Sequence, residues 1–204
     1  FVWQTGGDLD SYEKSGGEAL AYLKSLLDDG SMSAAVANYS QEDARTQFTA
    51  GKAAMMFNGP WELQNLKDLP FEWGVTALPK GKVAATGLGG ENVVVMNEAK
   101  APEAALKLAQ FLTSAEGAKI YCDESGQLSA RPDLAGKLKL SSDANLQVFE
   151  AQMADAHARA YGKEYAKISE AVQISLQEAL TGAKTPKDAA KDGAGVITPL
   201  LPKK

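Results

Sequence analysis

Apolar positions recur along this chain at two spacings: three or four apart over long stretches, consecutive or alternating over short ones. Ala19, Leu20, Leu23, Leu26 and Leu27 keep the helical spacing, and Gly30 is a stop signal. The polar run Asp8 to Gly17 before them reads as a loop that includes Tyr12. Ser40 followed by Asp43 predicts a capped helix start, with Ala44 and Phe48 on its buried face and an end near Gly51. Ala53 to Phe57 is continuously apolar and predicts a strand covered on both faces. A short helix is expected from Trp61 through Leu66. Phe71 to Leu78 alternates and predicts a strand closed by Pro79, and Val93 to Met96 predicts another. Pro102 opens a helix bearing Ala105, Leu108, Phe111 and Leu112. Ser114 caps the next, which carries Ala118 and Tyr121 and stops at Gly126. Leu146, Phe149, Met153, Ala156 and Ala160 predict one further helix. Tyr165, Ile168, Val172, Leu176 and Ala179 predict another, with Gly162 as the break. Thr185-Pro186 starts a last short helix, Val196 to Leu201 is an apolar tail, and Lys203-Lys204 is expected to fray.

Helices separated by single strands, with no tight hairpin between strands, favour α/β layers over a sandwich or barrel. Two breaks organise this order: Asn58-Gly59-Pro60 before Trp61, and Gly87-Leu88-Gly89-Gly90-Glu91-Asn92. A length of 204 residues fits one large domain or two small ones. The formal charge of -5 gives no basic surface suited to nucleic acid, and no apolar run is long enough to span a bilayer. Cys122 is the single cysteine, so no intrachain disulfide forms; it reads as a buried small apolar residue. His157 is the single histidine, which removes multi-histidine metal sites, and its alanine-rich helical setting gives it a structural or surface role. Phe1 to Trp3 reads as the end of an element already under way, without signal peptide or initiating methionine, as expected of a fragment or processed product.

The residues that could carry chemistry each have two readings. Trp61 is a core ring at a helix start or a platform at a strand end, where open α/β folds bind ligands. Glu62 is a plain surface carboxylate or an acceptor for hydroxyls. Gly89, Gly90, Glu91 and Asn92 form a plain loop or a hinge that approaches a ligand. Trp3 is core or aromatic surface, Arg131 a surface ion pair or a fixed fork of donors. Neither the glycine pair nor Gly81-Lys82 fits a nucleotide-binding loop. Aromatic faces with carboxylates, an amide and a guanidinium suit a polyhydroxylated ligand such as a sugar. A hydrolase acting on glycans would use the same materials, with Glu62 and Glu91 as its carboxylate pair. A non-catalytic structural module is the third reading.

Phe48-Thr49-Ala50-Gly51-Lys52-Ala53-Ala54-Met55-Met56-Phe57-Asn58-Gly59-Pro60-Trp61-Glu62, Trp73-Gly74-Val75 with Leu78-Pro79, Gly89-Gly90-Glu91-Asn92 and Phe111-Leu112-Thr113-Ser114 together resemble the extracellular sugar-binding proteins of bacterial ABC importers, the maltose-binding-protein-like group. Leu128-Ser129-Ala130-Arg131 and Ala179-Leu180-Thr181-Gly182 also look like that family. The resemblance implies an α/β fold of the type II periplasmic-binding-protein class, with a sugar held between two lobes, no catalysis and no cofactor or metal. It implies that Trp61 stacks on a sugar ring, that Glu62, Gly90, Glu91 and Asn92 line the cleft, and that Arg131 and, more weakly, Trp3 add contacts. Its implied partners are a sugar, the membrane subunits of the importer and a first lobe; its implied location is periplasmic or extracellular, with a lipid anchor as an option in the full-length protein.

Family members are about twice as long, so the chain looks like a C-terminal half. On that reading residues 1–88 begin the second lobe, 89–131 hold the crossing and a segment of the first lobe, and 132–204 complete the second. The helices of 93–127 should then expose apolar surface that the later helices do not.

Overall fold

The computed structural model describes residues 1–203; Lys204, half of the expected frayed end, lies outside the described residues. Among the described residues nine regular elements follow in order: α1 (Tyr12–Asp28), α2 (Gln41–Thr49), β1 (Thr86–Leu88), α3 (Pro102–Leu112), α4 (Ala115–Ser125), α5 (Ala144–Gln152), β2 (Ala156–Ala158), α6 (Tyr165–Thr181) and α7 (Pro186–Ile197). Short 3-10 turns lie between them, including Trp3–Thr5 and Pro60–Glu62. The chain forms two compact units. One contains Phe1–Ala44, Leu78–Leu88 and 155–203; the other contains Arg45–Ala77 and Gly89–Ala154.

The first unit is built on α1, α6 and α7. Leu9, Tyr12, Ile168, Ala171 and Ile197 form one buried cluster, and Leu20, Ala179, Ala189 and Ala190 another. Burying a side chain such as Ile168 or Ile197 stabilises the fold by roughly 1.5–3 kcal/mol. The α6–α7 seam is lined by small residues. Ala171, Ser175 and Ala179 recur every four residues on α6 and are buried, opposite Ala190 and Gly193 of α7. A Cβ at Gly193 would overlap Ser175 Oγ and stand 3.0 Å from Tyr12, so glycine sets how closely these helices approach. Ser175 Oγ donates to its own helix at Ala171 O (2.9 Å), which satisfies the hydroxyl inside the seam. Thr185 caps α7 by accepting from the Asp188 N–H (3.1 Å), and Gly182 ends α6 at φ 77°. β1 and β2 pair in parallel, Gly87 opposite His157.

Tyr12 is not in a loop. It starts α1 and is buried, because Asp8 and Ser11 form a capping box that opens a 3-10 turn running straight into the helix. Gly16 leaves room for its ring, since a Cβ there would stand 2.7 Å from Tyr12 Cδ2.

At the end of the first unit's N-terminal stretch the Ser40–Asp43 pair caps α2 as the sequence predicts, with reciprocal bonds of 2.9 and 3.1 Å. In the second unit Ser114 caps α4 through Gly117 N–H (3.1 Å), and Gly126 ends it at φ 71°. Cys122 is buried with Leu134 and Leu138 as expected, and burial pushes its thiol pKa up. Phe48 packs edge-on against Phe71, and Asn145 Oδ1 accepts from Val75 N–H (2.9 Å).

Three expected strands are absent. Ala53–Phe57, Phe71–Leu78 and Val93–Met96 run as irregular chain. A strand is stabilised by its neighbours, and β1–β2 is the only pairing among the described residues. Phe71 to Thr76 still alternates between half-buried and exposed, so its two-sidedness survives without a ladder. Met55 and Phe57 are exposed rather than covered on both faces. The expected helix through Ala160 stops at Gln152; His157 therefore lies in β2, where its backbone pairs with β1.

The seam yields a prediction. Gly193→Ala should destabilise the chain by about 1–3 kcal/mol through overpacking, read as a lower urea midpoint at unchanged slope. Adding Ser175→Gly should recover much of that loss.

Candidate functional site

Trp61 stands where the sequence predicts a turn out of an apolar run. Asn58 Oδ1 accepts from Gly59 N–H (3.0 Å), and Pro60 then opens the 3-10 turn Pro60–Glu62. The half-buried indole folds back over Gly59, where any Cβ would overlap the ring. Gln64 Nε2 donates to Asp123 O and Glu124 O, each at 3.2 Å, so the turn is fastened to the last carbonyls of α4. Leu63 and Leu66 bury the other side of the segment.

Glu62 is only 4% exposed. Its Oε2 accepts from Arg45 (3.2 Å) and from Asn65 Nδ2 (2.8 Å), so its charge is paired within the protein. A buried carboxylate needs such partners; breaking a pair of this kind typically costs about 3–5 kcal/mol. Arg45 was not singled out from the sequence, and no local signal joins it to Glu62.

Arg131 is a clamp. Its Nε and Nη2 donate to Asp133, both at 3.0 Å, and Nη1 donates to Thr113 O (2.9 Å), the residue that closes α3. Asp133 is held below the usual carboxylate range by the guanidinium's hydrogen bonds. Gly90, Glu91 and Asn92 are exposed, and Gly90 has φ 153°, a conformation that favours glycine. Among the described residues no hydrogen bond or ion pair joins Trp61 or Glu62 to Glu91, Asn92 or Arg131.

Trp3 belongs to the first unit. Its Nε1 donates to Asp8 Oδ1 (2.9 Å), and its ring stacks on His157 at 5.0 Å and 17°. Tyr161 also donates its phenol to Asp8 Oδ1, which accepts Leu9 N–H as well (2.7 Å). Beside them lies a shallow hollow of about 420 Å³, lined in part by Trp3, Asp8, Asp10, Ser11, Val83 and His157. Asp8 was legible only as a turn residue after Gly6-Gly7. Tyr161, 153 positions away, gave no signal of this partnership. Among the described residues no group of three or more His, Cys, Asp or Glu side chains could hold a metal ion.

Burial first, then the bond to Asp8, raises the Tyr161 pKa well above the ordinary tyrosine value. A raised folded-state pKa contributes stability that is fully present below about pH 10 and lost as pH rises through the folded value. Unfolding midpoints measured between pH 8 and pH 12 should therefore fall more steeply for the native chain than for Tyr161→Phe.

The bacterial extracellular solute-binding protein family model matches residues 1–148. A putative binding protein of Brucella abortus is 25% identical over 213 residues, covering 99% of this chain and 52% of that protein. Among solved structures, maltose-bound MalE3 of T. maritima is 30% identical with a TM-score of 0.81, over 98% of this chain and 56% of its own. An ABC transporter solute-binding protein of Thermotoga lettingae, bound with α-D-tagatose, is 28% identical with a TM-score of 0.86, over 99% and 55%. The chain spans about half the length of the curated relatives it matches first. Its helices and strand pair thus follow the α/β fold of type II periplasmic binding proteins, and the chain belongs to the bacterial extracellular solute-binding protein family.

Proposed function

We propose that this chain is about half of the substrate-binding component of a carbohydrate ABC importer. That protein captures a mono- or oligosaccharide between two lobes outside the cytoplasm and delivers it to the membrane permease. The observation that carries the reading is the likeness along nearly the whole chain to two solute-binding proteins solved with sugars bound. Capture works by population shift: the sugar favours the closed form because it binds that form better than the open one. Turnover plays no part in this cycle.

In this reading residues 1–88 and 132–204 belong to the second lobe, and 89–131 comprise a crossing and a segment of the first. Apolar exposure on 93–121, set against that on α6 and α7, supports giving 89–131 to the first lobe; Met55 and Phe57, within 1–88, are exposed as well. Val93, Val94, Val95 and Met96 are all exposed, Val94 at 71% and Met96 at 68%. So are Leu106, Leu108, Phe111 and Leu112 of α3 and Ile120 and Tyr121 of α4. On α6 and α7 the exposed large apolar residues are Ile174 and Val196. A patch of the first kind marks a surface built to be covered.

Trp61 is the proposed sugar platform, its ring held over Gly59 and its turn tied to α4. Glu91 and Asn92 are the proposed hydroxyl partners. Glu62 and Arg131 act on the site mainly through position, since Glu62 Oε2 and the Arg131 guanidinium are already engaged.

Tryptophan fluorescence titration against maltose and a panel of monosaccharides tests this. The 204-residue chain alone should respond weakly or not at all. The same sequence joined to a complementary first lobe should give a saturable response, and Trp61→Ala should weaken it by about tenfold or more, the loss of roughly 1.4 kcal/mol or more. Unchanged affinity in Trp61→Ala would remove the platform. Release of reducing sugar from a maltooligosaccharide, abolished by Glu62→Gln or Glu91→Gln, would replace capture with hydrolysis.

A further inference from the structure

The chain leaves the first unit directly after β1, at Leu88–Gly89, and re-enters it directly before β2, at Ala154–Asp155. Each strand has three residues, and a two-stranded pair is marginal on its own. Its support comes from the N-terminal turn. Gln4 Nε2 donates to Pro79 O (3.1 Å) and Ala85 O (3.2 Å), and Gln4 O accepts from Lys82 N–H (2.8 Å) and Val83 N–H (3.3 Å). These bonds hold the segment that feeds β1. Gly81 admits them, since a Cβ there would stand 2.6 Å from Gln4 O. On the other side Asp8 accepts from Tyr161, three residues after β2.

Trp3 joins the two halves of this arrangement. Its indole stacks on His157, and the place a Gly87 Cβ would occupy lies 3.8 Å from Trp3 Cζ3. Gly87 and His157 are partners in the strand register. One ring therefore covers both members of a single pair, and its Nε1 bond to Asp8 fixes its plane.

We infer that Trp3 is a positioning residue: the turn of Trp3, Gln4 and Asp8 is a clasp that fixes β1 against β2 at two of the four points where the chain passes between its units, Leu88–Gly89 and Ala154–Asp155. With the pair clasped, the compliant link is Gly89–Gly90, where Gly90 adopts φ 153° and nothing stands within 4 Å of its would-be Cβ. The functional weight of the clasp rests on the solute-capture reading, in which the Leu88–Gly89 passage, next to β1, is also a crossing between lobes. Its test does not.

Amide hydrogen exchange on the 204-residue chain provides that test. Trp3→Leu removes the ring, and His157→Ala removes the exposed half of the stack without touching the helical core. Each should raise exchange at residues 86–88 and 156–158 by about tenfold, with α1, α6 and α7 unchanged. Trp3→Phe, which keeps an aromatic face, should stay near the native rate. Native rates at the strands in both Trp3→Leu and His157→Ala would overturn the clasp. So would an equal loss of protection across the three helices, which would make Trp3 a general core residue. Native strand protection combined with a changed maltose response in Trp3→Leu of the chain joined to a first lobe would overturn the clasp and assign the ring to ligand instead. Failure of the strand effect would leave the sugar reading standing, and a working clasp with no sugar response from the chain joined to a first lobe would leave the clasp standing and remove the sugar reading.

Discussion

The close approach of α6 and α7 is the constraint on which the first unit depends. Gly193 lets Ser175 and Tyr12 occupy space that any side chain on α7 would take. Tyr12 is the first residue of α1, so its burial fixes where that helix begins. The capping box of Asp8 and Ser11 sits immediately before it, and Asp8 in turn holds Trp3 and Tyr161. A packing requirement between two helices thus reaches the strand pair through a short chain of bonds and one stacked ring. Every link lies within the first unit, and none of them needs the second.

The second unit presents the opposite balance. Its turns and caps are well made: Ser114, Gly126 and Gln64 satisfy backbone groups at the ends of α4, and Asn145 satisfies Val75 N–H in the irregular chain. Its apolar side chains are not equally well served. Four consecutive apolar residues, Val93 to Met96, are exposed, as are the large apolar residues of α3, Leu106, Leu108, Phe111 and Leu112. A run of that kind suits a strand covered on both faces, and the described residues supply no such cover. The sugar-bound structures that match the chain are nearly twice its span. Missing cover and missing length have one common explanation in the proposed first lobe.

The sequence was most legible where a residue's effect is local. Ser40 with Asp43, Pro102, Ser114, Gly126 and Thr185 mark helix ends through bonds or dihedrals reaching only a few positions. It was least legible where state depends on distant neighbours. Val93–Met96 reads as a strand because its side chains call for a sheet, and the sheet is not among these residues. The α1 start was hidden because Glu13, Lys14, Ser15, Gly16 and Gly17 look like loop, although the Tyr12 ring packs over Gly16. At the candidate site Trp61 and its turn could be placed from Asn58-Gly59-Pro60. The partnership of Glu62 with Arg45 spans 17 positions, and that of Asp8 with Tyr161 spans 153. No periodicity connects such pairs.

Oxidative footprinting of Met96 tests the central claim most directly, because this side chain is 68% exposed and sits in the run that calls for cover. Hydrogen peroxide should oxidise it rapidly in the 204-residue chain. The same methionine should be protected by about tenfold or more when the sequence is joined to a complementary first lobe, as burial removes access to its sulfur. Equal oxidation rates in the two polypeptides would contradict the account, since Val93–Met96 would then be a surface that no first lobe covers.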